Sequence, residues 1–395
     1  MLTTARLDVE GQDFSEEIFT TEHEIFRETA RRFIQNELEP HYQEWEHTEI
    51  GYPREIWQKA AKAGLVGLAV PEEYGGPGAD LLFKMILAEE MGNFVAGVST
   101  GATLFSADLM TSMLVEHGTE EQKQRYFPGI LAGTTVSCAG ISEPAAGSDV
   151  NAMQTRARRD GSDYLISGQK VYISNGMHAD LCYLVARTDE DVDRGRGALT
   201  MFLVDMDTPG MQRRRMSTLG ERAGSVAELF MEDMRVPESA ILGKPGMALR
   251  ENLGFLFTAD RVGLALRAIS VSRLAYKLTV QHTRDRRVFG RRVIDFGNTR
   301  AKLAAIRADI EVMEGFKDTL LRQFKAGLLD PLTSSSAKYW ICSKEFEIAN
   351  ECLQLHGGYG YITESPISRI FTFARLETIY AGTNEIQLGT IGRLI

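Results

Sequence analysis

The spacing of apolar residues changes character twice along this chain of 395 residues. Up to about residue 135, apolar side chains recur at helical intervals, and from about 136 to 243 they form short runs of strand length bounded by turn residues. Helical spacing then returns in longer segments. Because a helical pattern does not form a sheet, nor a strand pattern a helix, the sequence predicts helical, β and helical parts in that order.

This order predicts an α+β multidomain fold. We expect an N-terminal α-helical domain over residues 1–135 and a middle β-barrel or sandwich domain over 136–243. A C-terminal four-helix-bundle domain is expected over 244–395, because its helices are long and joined by short loops.

Local signals predict where several elements begin or turn. Thr21 and Glu24 have the spacing of a capping box, which predicts the start of the first helix. The Asp-Gly pair at 160–161 and the Ser-Gly pair at 167–168 interrupt strand-like runs and predict hairpin turns.

The charge balance excludes several classes of protein. Lysine and arginine number 44 against 54 aspartates and glutamates, a net charge of −10, which argues against binding to nucleic acid because such sites need clustered basic residues. No apolar stretch reaches the length of a transmembrane helix, about 18 residues. The first residues lack the features of a secretory signal, so we expect a cytoplasmic protein, or a mitochondrial matrix protein if the source is eukaryotic.

Common metal and nucleotide motifs are missing from the sequence. The four cysteines form no CxxC pair, and no Walker A loop, Rossmann GxGxxG, HExxH or GxSxG motif occurs. Cys352 and His356 stand four residues apart and could share a helix face, but a core cysteine beside an unrelated histidine is the favoured interpretation. No metal is therefore expected.

Five segments combine small residues, hydroxyls, aromatics and arginines in ways that suit a flat ligand bearing phosphates. Small residues let the backbone approach a ring, and clustered arginines bind phosphate in a bidentate manner. Taken singly, the first three are more often a polar loop, an edge strand and a solvated helix end, in that order, and the two Gly-rich turns are weak signals. The segments read CAGISEPAAGSDV (138–150), QKVYISNG (169–176), RDRRVFG (284–290), LQLHGGYGYITESP (353–366) and IYAGTNEIQ (379–387).

In this order and spacing, the five segments resemble those of the acyl-CoA dehydrogenase family. The resemblance covers nearly the whole chain and is closest to the long-chain and isovaleryl branches. It implies FAD as cofactor and dehydrogenation of an acyl-CoA thioester to a trans-2-enoyl-CoA, with removal of the α-proton and transfer of a β-hydride to flavin N5. It also implies an electron-transfer flavoprotein as acceptor and a homotetramer built as a dimer of dimers, with cofactor sites shared between subunits.

The resemblance also implies roles for individual residues. Ser142 and Ser174 match positions that contact the flavin ring, and Tyr172 matches an aromatic residue at its edge. Arg286 and Phe289 match contacts that a neighbouring subunit makes with the FAD diphosphate and adenine. The full set of implied cofactor-binding residues is Ser142, Ser148, Tyr172, Ile173, Ser174, Arg286, Phe289, Gln354, Gly358, Thr383 and Glu385.

The catalytic base departs from the family pattern. Most members carry a carboxylate at the position of Ala381, which here offers only its backbone N–H to the thioester carbonyl. Long-chain and isovaleryl types carry Glu on an earlier helix before an arginine, and that position holds Asp260, followed by Arg261. We expect Asp260 to be the base. The alternatives are a structural role for Asp260, as a partner of Arg261 or a helix cap, and the carboxylates of Glu377 and Glu385.

Two other functions remain open, and the acyl group is not specified. The missing carboxylate at the usual position suits a flavin-dependent monooxygenase or another non-dehydrogenating relative, or a non-catalytic partner subunit that binds acyl-CoA or flavin. The resemblance implies Ser148 and Arg261 near the substrate, and residues 97–106 where the acyl pocket is lined. The small residues of that run fit a deep or wide pocket, or equally a helix packed through small residues.

Overall fold

The computed structural model describes residues 18–48, 51–100, 103–188 and 199–394. Helices come first along the chain, a sheet follows, and long helices complete the fold. The predicted α+β organisation is therefore confirmed. No helix in these ranges is both long enough and apolar enough to cross a bilayer.

The N-terminal part consists of helices, some of which bury one face, whereas the helices over Leu81–Gly92 and Val95–Thr100 are buried on nearly all sides. Thr20 caps the first helix, because its hydroxyl accepts a hydrogen bond from the His23 N–H at 3.4 Å and the His23 ring accepts one from the Thr20 N–H at 3.0 Å. The predicted box at Thr21 and Glu24 is wrong by one residue, since Thr21 is already helical. The helices are α1 (Thr21–Phe33), α2 (Tyr42–Trp45), α3 (Glu55–Lys62), α4 (Leu81–Gly92), α5 (Val95–Thr100), α6 (Thr103–His117) and α7 (Glu120–Leu131).

The middle part is a seven-stranded mixed sheet. The strands are β1 (Ser137–Gly140), β2 (Arg156–Asp160), β3 (Asp163–Ile173), β4 (Leu181–Thr188), β5 (Leu199–Asp205), β6 (Met211–Arg215) and β7 (Ala227–Pro237). Their order is β1-β4-β2-β3-β7-β6, with β5 paired to β4. β1 and β2 run parallel to β4, whereas the β2–β3, β3–β7, β4–β5 and β6–β7 pairs are antiparallel.

Only one of the two predicted hairpin turns forms. Gly161, with φ of 67°, connects β2 to β3 as expected. The prediction at 167–168 is wrong, because both residues lie within β3 at a register shift against β7. A Cβ atom at Gly168 would come within 2.4 Å of the Thr155 hydroxyl oxygen, so glycine serves close packing within the strand.

The C-terminal part is built around one helix of 33 residues. Its helices are α8 (Leu253–Asp285), α9 (Gly297–Lys325), α10 (Pro331–His356), α11 (Pro366–Glu377) and α12 (Asn384–Gly392). Between α8 and α9, the short strands β8 (Arg287–Val288) and β9 (Arg291–Arg292) form a hairpin whose turn residues, Phe289 and Gly290, have φ of 49° and 76°. Asp330 caps α10, and Pro331 occupies its first turn.

The three parts share a continuous core. One apolar cluster joins Leu109 of α6 and Phe127 of α7 to Tyr183 of β4, Leu203 of β5 and Leu266 of α8. Helix α8 also packs against α4, α9, α10 and α11. It is therefore held on several sides, which fixes the orientation of the polar side chains that it carries.

Candidate active site

Two of the segments singled out in the sequence lie side by side in the middle domain. The Val171 N–H donates to the carbonyl oxygen of Ser142 at 2.9 Å, and the Lys170 Nζ donates to the carbonyl oxygen of Ile141 at 3.1 Å. We call residues 141–143 together with 170–174 the middle-domain ledge. The ledge brings Ser142, Tyr172 and Ser174 into one short region of the sheet end.

A buried ion pair within the middle-domain ledge holds its two segments together. Lys170 Nζ lies 2.7 Å from Glu143 Oε1, and both side chains are almost completely buried. The Glu143 carboxylate also accepts hydrogen bonds from the backbone N–H groups of Gln154 and Thr155. Burial lowers the pKa of Lys170 to about 8, and Glu143 opposes that shift. Burial disfavours ionisation of Glu143, but the hydrogen bond from Lys170 brings its pKa below the usual value.

The end of β3 turns one aromatic side chain outward. The register against β7 shifts between Lys170 and Ile173, and Tyr172 within that interval has φ of 60°. Such irregularities re-aim side chains. Tyr172 is consequently 68% exposed, whereas Ile173 is buried in the sheet core and Ser174 is exposed. Of these implied cofactor contacts, Ile173 could reach a ligand on the ledge surface only through its backbone.

Asn175 is a positioning residue that sequence reasoning did not single out. It is buried with φ of 63°, and its side-chain oxygen accepts a hydrogen bond from the Tyr52 hydroxyl at 2.8 Å. Its amide donates to the carbonyl oxygens of Thr103 and Ser137 at 3.1 and 3.3 Å. Asn175 thereby ties the ledge to the N-terminal helices. Asn175 belongs to the segment 169–176 that the sequence singles out, but its role could not be predicted because its hydrogen-bond partners are distant in sequence.

Other implied cofactor residues lie on the C-terminal helices. Two adjoining grooves of about 560 and 500 Å³ share Arg286 and Tyr359, and Gln354 and Gly358 line the second one. The Arg286 guanidinium lies 5.7 Å from the centre of the Tyr359 ring. Within the described part of the chain, neither groove is lined by a middle-domain residue. We call the pair the bundle groove.

The remaining implied contacts are dispersed. Phe289, at the tip of the β8–β9 hairpin, is 94% exposed, and Ser148 is exposed in the loop after β1. Thr383 caps α12 by accepting a hydrogen bond from the Ile386 N–H at 3.3 Å, and Glu385 is exposed in the first turn of that helix. Within one chain, the implied cofactor-binding residues therefore lie in separate places: on the middle-domain ledge, in the bundle groove and at these scattered positions.

A second polar region is enclosed by the C-terminal helices. Arg267 of α8 donates from Nε to Glu377 Oε1 at 2.9 Å, and its Nη2 lies 2.9 Å from the same oxygen. Arg267 also donates to the Tyr380 hydroxyl, and its guanidinium lies 4.9 Å from the centre of the Phe373 ring. Arg267 and Glu377 are at most 1% exposed. An ion pair so buried is retained only with good geometry and further hydrogen bonds.

Asp260 belongs to this region. Asp260 is the eighth residue of α8, which begins at Leu253, and it is therefore not a helix cap. The described residues include no hydrogen-bond or ion-pair partner for its carboxylate, while Arg261 donates to the Ser335 hydroxyl at 3.2 Å. Burial raises the pKa of Asp260 to about 6, with Arg267 opposing the shift.

Glu221 approaches the same region from the middle domain. It has φ of 52° in the connection between β6 and β7. Burial raises the pKa of Glu221 to about 7, with Arg267 opposing and Glu377 reinforcing the shift. Glu221 and Asp260 are each half-buried in the chain. We call Asp260, Arg267, Glu377 and Glu221 the interior ionic cluster.

A neighbouring group has metal-ligand atoms but no need of a metal. Cys342, Glu345 and Glu377 offer donor atoms within 4.8 Å of one another. Arg267 already neutralises Glu377, and burial raises the pKa of Glu345 well above its usual value, so a proton replaces the missing partner of that carboxylate. The sequence pair Cys352 and His356 is not in this group. His356 Nδ1 instead hydrogen-bonds the Cys352 carbonyl oxygen at 2.8 Å.

The turn after α11 lies beside the interior ionic cluster. Ala381 has φ of 53°, and its carbonyl oxygen accepts a hydrogen bond from Gln387 Nε2 at 3.2 Å. No hydrogen bond joins the Ala381 N–H to any residue that the structure describes. Lys338, whose charge acts on Asp260, hydrogen-bonds Asn384 at 3.2 Å just beyond this turn. A backbone donor and a carboxylate thus occupy the same interior region.

Comparison with known proteins identifies relatives along the whole chain. Residues 20–134, 138–234 and 253–395 match the family models for the N-terminal, middle and C-terminal domains of acyl-CoA dehydrogenase. The mitochondrial long-chain specific acyl-CoA dehydrogenase of Mus musculus is 37% identical over 385 residues, which cover 96% of this chain and 87% of that protein.

Solved structures agree with this result. An acyl-CoA dehydrogenase from Geobacillus kaustophilus superposes with a TM-score of 0.90 and 34% identity, covering 95% of this chain and 98% of the other. A glutaryl-CoA dehydrogenase from Mycobacterium smegmatis in complex with FADH2 has a TM-score of 0.83 and 27% identity, with 95% of each chain covered.

Proposed function

The chain belongs to the acyl-CoA dehydrogenase family of oxidoreductases, and we propose that it is an FAD-dependent enzyme that converts an acyl-CoA thioester to a trans-2-enoyl-CoA. The observation that carries this proposal is the Asp260 carboxylate. It lies within a helix, has no described partner, and has a pKa raised to about 6 by burial. A base needs a pKa near the working pH and a free oxygen, and Asp260 offers both.

The middle-domain ledge fits the ring system of FAD. It presents the hydroxyls of Ser142 and Ser174 beside the exposed ring of Tyr172, a combination suited to a planar ligand with hydrogen-bonding edges. The bundle groove supplies Arg286 and Gln354, which suit a diphosphate. When bound, FAD would supply the acceptor for the hydride.

Proton removal in this proposal relies on two groups of the chain. Asp260 accepts the α-proton of the thioester, and the Ala381 N–H donates a hydrogen bond to the thioester carbonyl oxygen. That hydrogen bond stabilises the negative charge that develops on the oxygen as the proton leaves, as in an oxyanion hole. Among the described residues, neither the Ala381 N–H nor the Asp260 carboxylate has a hydrogen-bond partner, as such a site requires before substrate binds.

Exposed apolar side chains support a multi-subunit assembly. Phe289 and Tyr361 are 94% and 88% exposed, and Tyr359 beside the bundle groove is 59% exposed. Large exposed aromatic residues of this kind commonly mark contact surfaces. We propose a homotetramer in which Arg286 and Phe289 of one subunit contact the cofactor of another, with an electron-transfer flavoprotein as the electron acceptor.

An anaerobic substrate screen tests the proposed function. The purified holoenzyme is mixed with short, medium, long, branched and aryl-substituted acyl-CoAs, and the absorbance of the oxidised flavin is followed. We expect bleaching with at least one thioester and formation of the matching enoyl-CoA. If no thioester bleaches the flavin, the proposal is wrong. Steady oxygen consumption with a hydroxylated product would instead identify a monooxygenase.

A further inference from the structure

The turn that carries the Ala381 N–H is held by one buried side chain of helix α12. Resting on the dehydrogenase function proposed above, we propose that Gln387 is a positioning residue for the reaction. Its side-chain amide keeps the turn over residues 380–383 in the conformation that aims the Ala381 N–H at the thioester carbonyl oxygen. Gln387 itself touches neither the substrate nor the reacting atoms.

One amide group binds two consecutive carbonyl groups of this turn. Gln387 Nε2 donates to the Ala381 carbonyl oxygen at 3.2 Å and to the Gly382 carbonyl oxygen at 2.9 Å. The nitrogen of a primary amide carries two hydrogens and can serve two acceptors at once, whereas the amide oxygen can serve neither. Gln387 is completely buried, and a Cβ atom at Gly382 would lie 2.7 Å from its Nε2. The amide is therefore packed directly against the turn.

The turn has a backbone conformation that needs such support. The φ angles are 53° at Ala381 and 86° at Gly382, so two successive residues lie in the left-handed region. Glycine adopts this region readily, but alanine does so only where the surrounding structure enforces it. Because φ is the torsion about the N–Cα bond, a return of Ala381 to negative φ would rotate its N–H relative to its carbonyl group. Without the Gln387 amide, two carbonyl oxygens would lose their donor and the turn would relax.

The other end of the turn is attached to the helix of the proposed base. Arg267 donates to the hydroxyl of Tyr380, the residue before Ala381. Asp260 and Arg267 are seven residues apart on α8, so their side chains leave the same face of the helix, about 10 Å apart along its axis. Arg267 thus holds the turn from the side of α8, and Gln387 holds it from the side of α12. Both contacts together fix the Ala381 N–H relative to Asp260.

A second buried glutamine makes the same kind of contact in another part of the fold. Gln122 Nε2 donates to the carbonyl oxygens of Ser239 and Ile241 at 2.9 Å each, and the side chain is buried. This contact joins α7 to the segment that follows β7. Gln122 therefore matches Gln387 in burial and in the number of hydrogen bonds that its amide donates. It provides a control for the loss of a purely structural contact.

Steady-state kinetics of Gln387→Met give the first test. Methionine is similar in length to glutamine but cannot donate a hydrogen bond. Misplacement of a catalytic group by about 1 Å costs about 100-fold, and the Ala381 N–H is still present in the variant, so we expect kcat to fall by about 10- to 100-fold. KM should change by less than about threefold, because a hydrogen bond that strengthens only in the transition state affects kcat.

A substrate analogue measures the same effect without turnover. An acyl-CoA with sulfur in place of the β-methylene group has no β-hydride to transfer. The reaction then stops after the α-C–H bond has broken, with the proton on Asp260 and the electron pair in the enolate. The enolate is followed against pH by the long-wavelength absorbance that it gives beside oxidised flavin, with excess FAD in solution. In Gln387→Met the midpoint of enolate formation should rise by about one pH unit or more, which corresponds to at least about tenfold weaker stabilisation.

Two further variants control for folding. Gln122→Met should lower the melting temperature about as much as Gln387→Met, but should leave kcat and the midpoint of enolate formation as in the wild type. Gly382→Ala perturbs the same contact from the other side, because its added Cβ displaces the Gln387 amide. It should also raise the midpoint, and it replaces Gln387→Met in the comparison if that variant does not fold.

The outcomes distinguish this inference from the proposed function. An unchanged midpoint in Gln387→Met, or in Gly382→Ala where it replaces that variant, overturns the role of Gln387. An equal rise of the midpoint in Gln122→Met also overturns it. In both cases the wild type still reduces its flavin, and the dehydrogenase function stands. If the wild type reduces its flavin with no thioester and forms no enolate from the analogue, the dehydrogenase function itself is refuted.

Discussion

Replacement of Asp260 by Asn is the most direct test of the proposed chemistry. The amide keeps the size of the side chain but cannot accept a proton. Loss of a positioned general base costs about 100-fold to 10,000-fold in rate, so Asp260→Asn should slow anaerobic flavin reduction by at least about 100-fold. Binding of acyl-CoA, measured by the perturbation of the flavin spectrum, should change much less.

The pH dependence of the same reaction identifies the group. Burial raises the pKa of Asp260 to about 6, and the base acts only when ionised. In the wild type, kcat/KM should therefore fall about tenfold per pH unit below pH 6 and level off above it. Asp260→Asn should remove this limb. Because Glu221 also titrates near neutrality, with a pKa of about 7, Glu221→Gln is the control and should leave the limb near pH 6 in place.

Stability gives an independent readout of the same carboxyl group. Its pKa rises on folding from 3.8 to about 6, so the folded state binds the proton more tightly than the unfolded state. The resulting stabilisation is complete below pH 4 and is lost as the pH rises through 6. At pH 8, Asp260→Asn should therefore raise the free energy of unfolding by about 1–3 kcal/mol relative to its effect at pH 4.

Two results would refute the reasoning about Asp260. An unchanged rate of flavin reduction in Asp260→Asn would show that another group accepts the proton. A stability difference that does not depend on pH would show that the surroundings of the carboxylate do not disfavour its charge. Asp260→Glu is informative in either case, because it adds a methylene and, if the base position is right, should retain much more activity than Asn.

Three further substitutions test the surroundings of the site. Lys170→Met should lower the free energy of unfolding by about 3–5 kcal/mol in denaturant titrations, because Glu143 is left buried without its partner; a cost below 1 kcal/mol would contradict this. Arg286→Gln should release FAD more readily in high salt during gel filtration, whereas Arg284→Gln, an exposed neighbour outside the bundle groove, should retain it. Glu377→Leu should destabilise the fold by about 3 kcal/mol or more, since a buried guanidinium loses its partner, and calorimetry that shows no loss would contradict the pairing.

Two local predictions were wrong, the cap of the first helix and the turn at 167–168. Each depends on a particular side-chain contact. Thr20 rather than Thr21 caps the first helix, because the ring of His23 accepts the hydrogen bond that a Glu or Gln side chain accepts in the usual motif. Gly168 resembled a turn residue, but it lies within a strand. Glycine is required there because Thr155 packs closely against its backbone. Neither distinction can be read from the spacing of residues alone.

The sequence by itself determined the order of helical and β parts and the segments that the family uses, because periodicity and short motifs depend on residues close together in the chain. Only the tertiary structure decided that Arg267 pairs with Glu377, 110 residues away, and that Glu221 joins them from the middle domain. The physical reason is that burial and charge pairing depend on which distant surfaces pack together. Those contacts set the ionisation of Asp260 and the polarity of its surroundings.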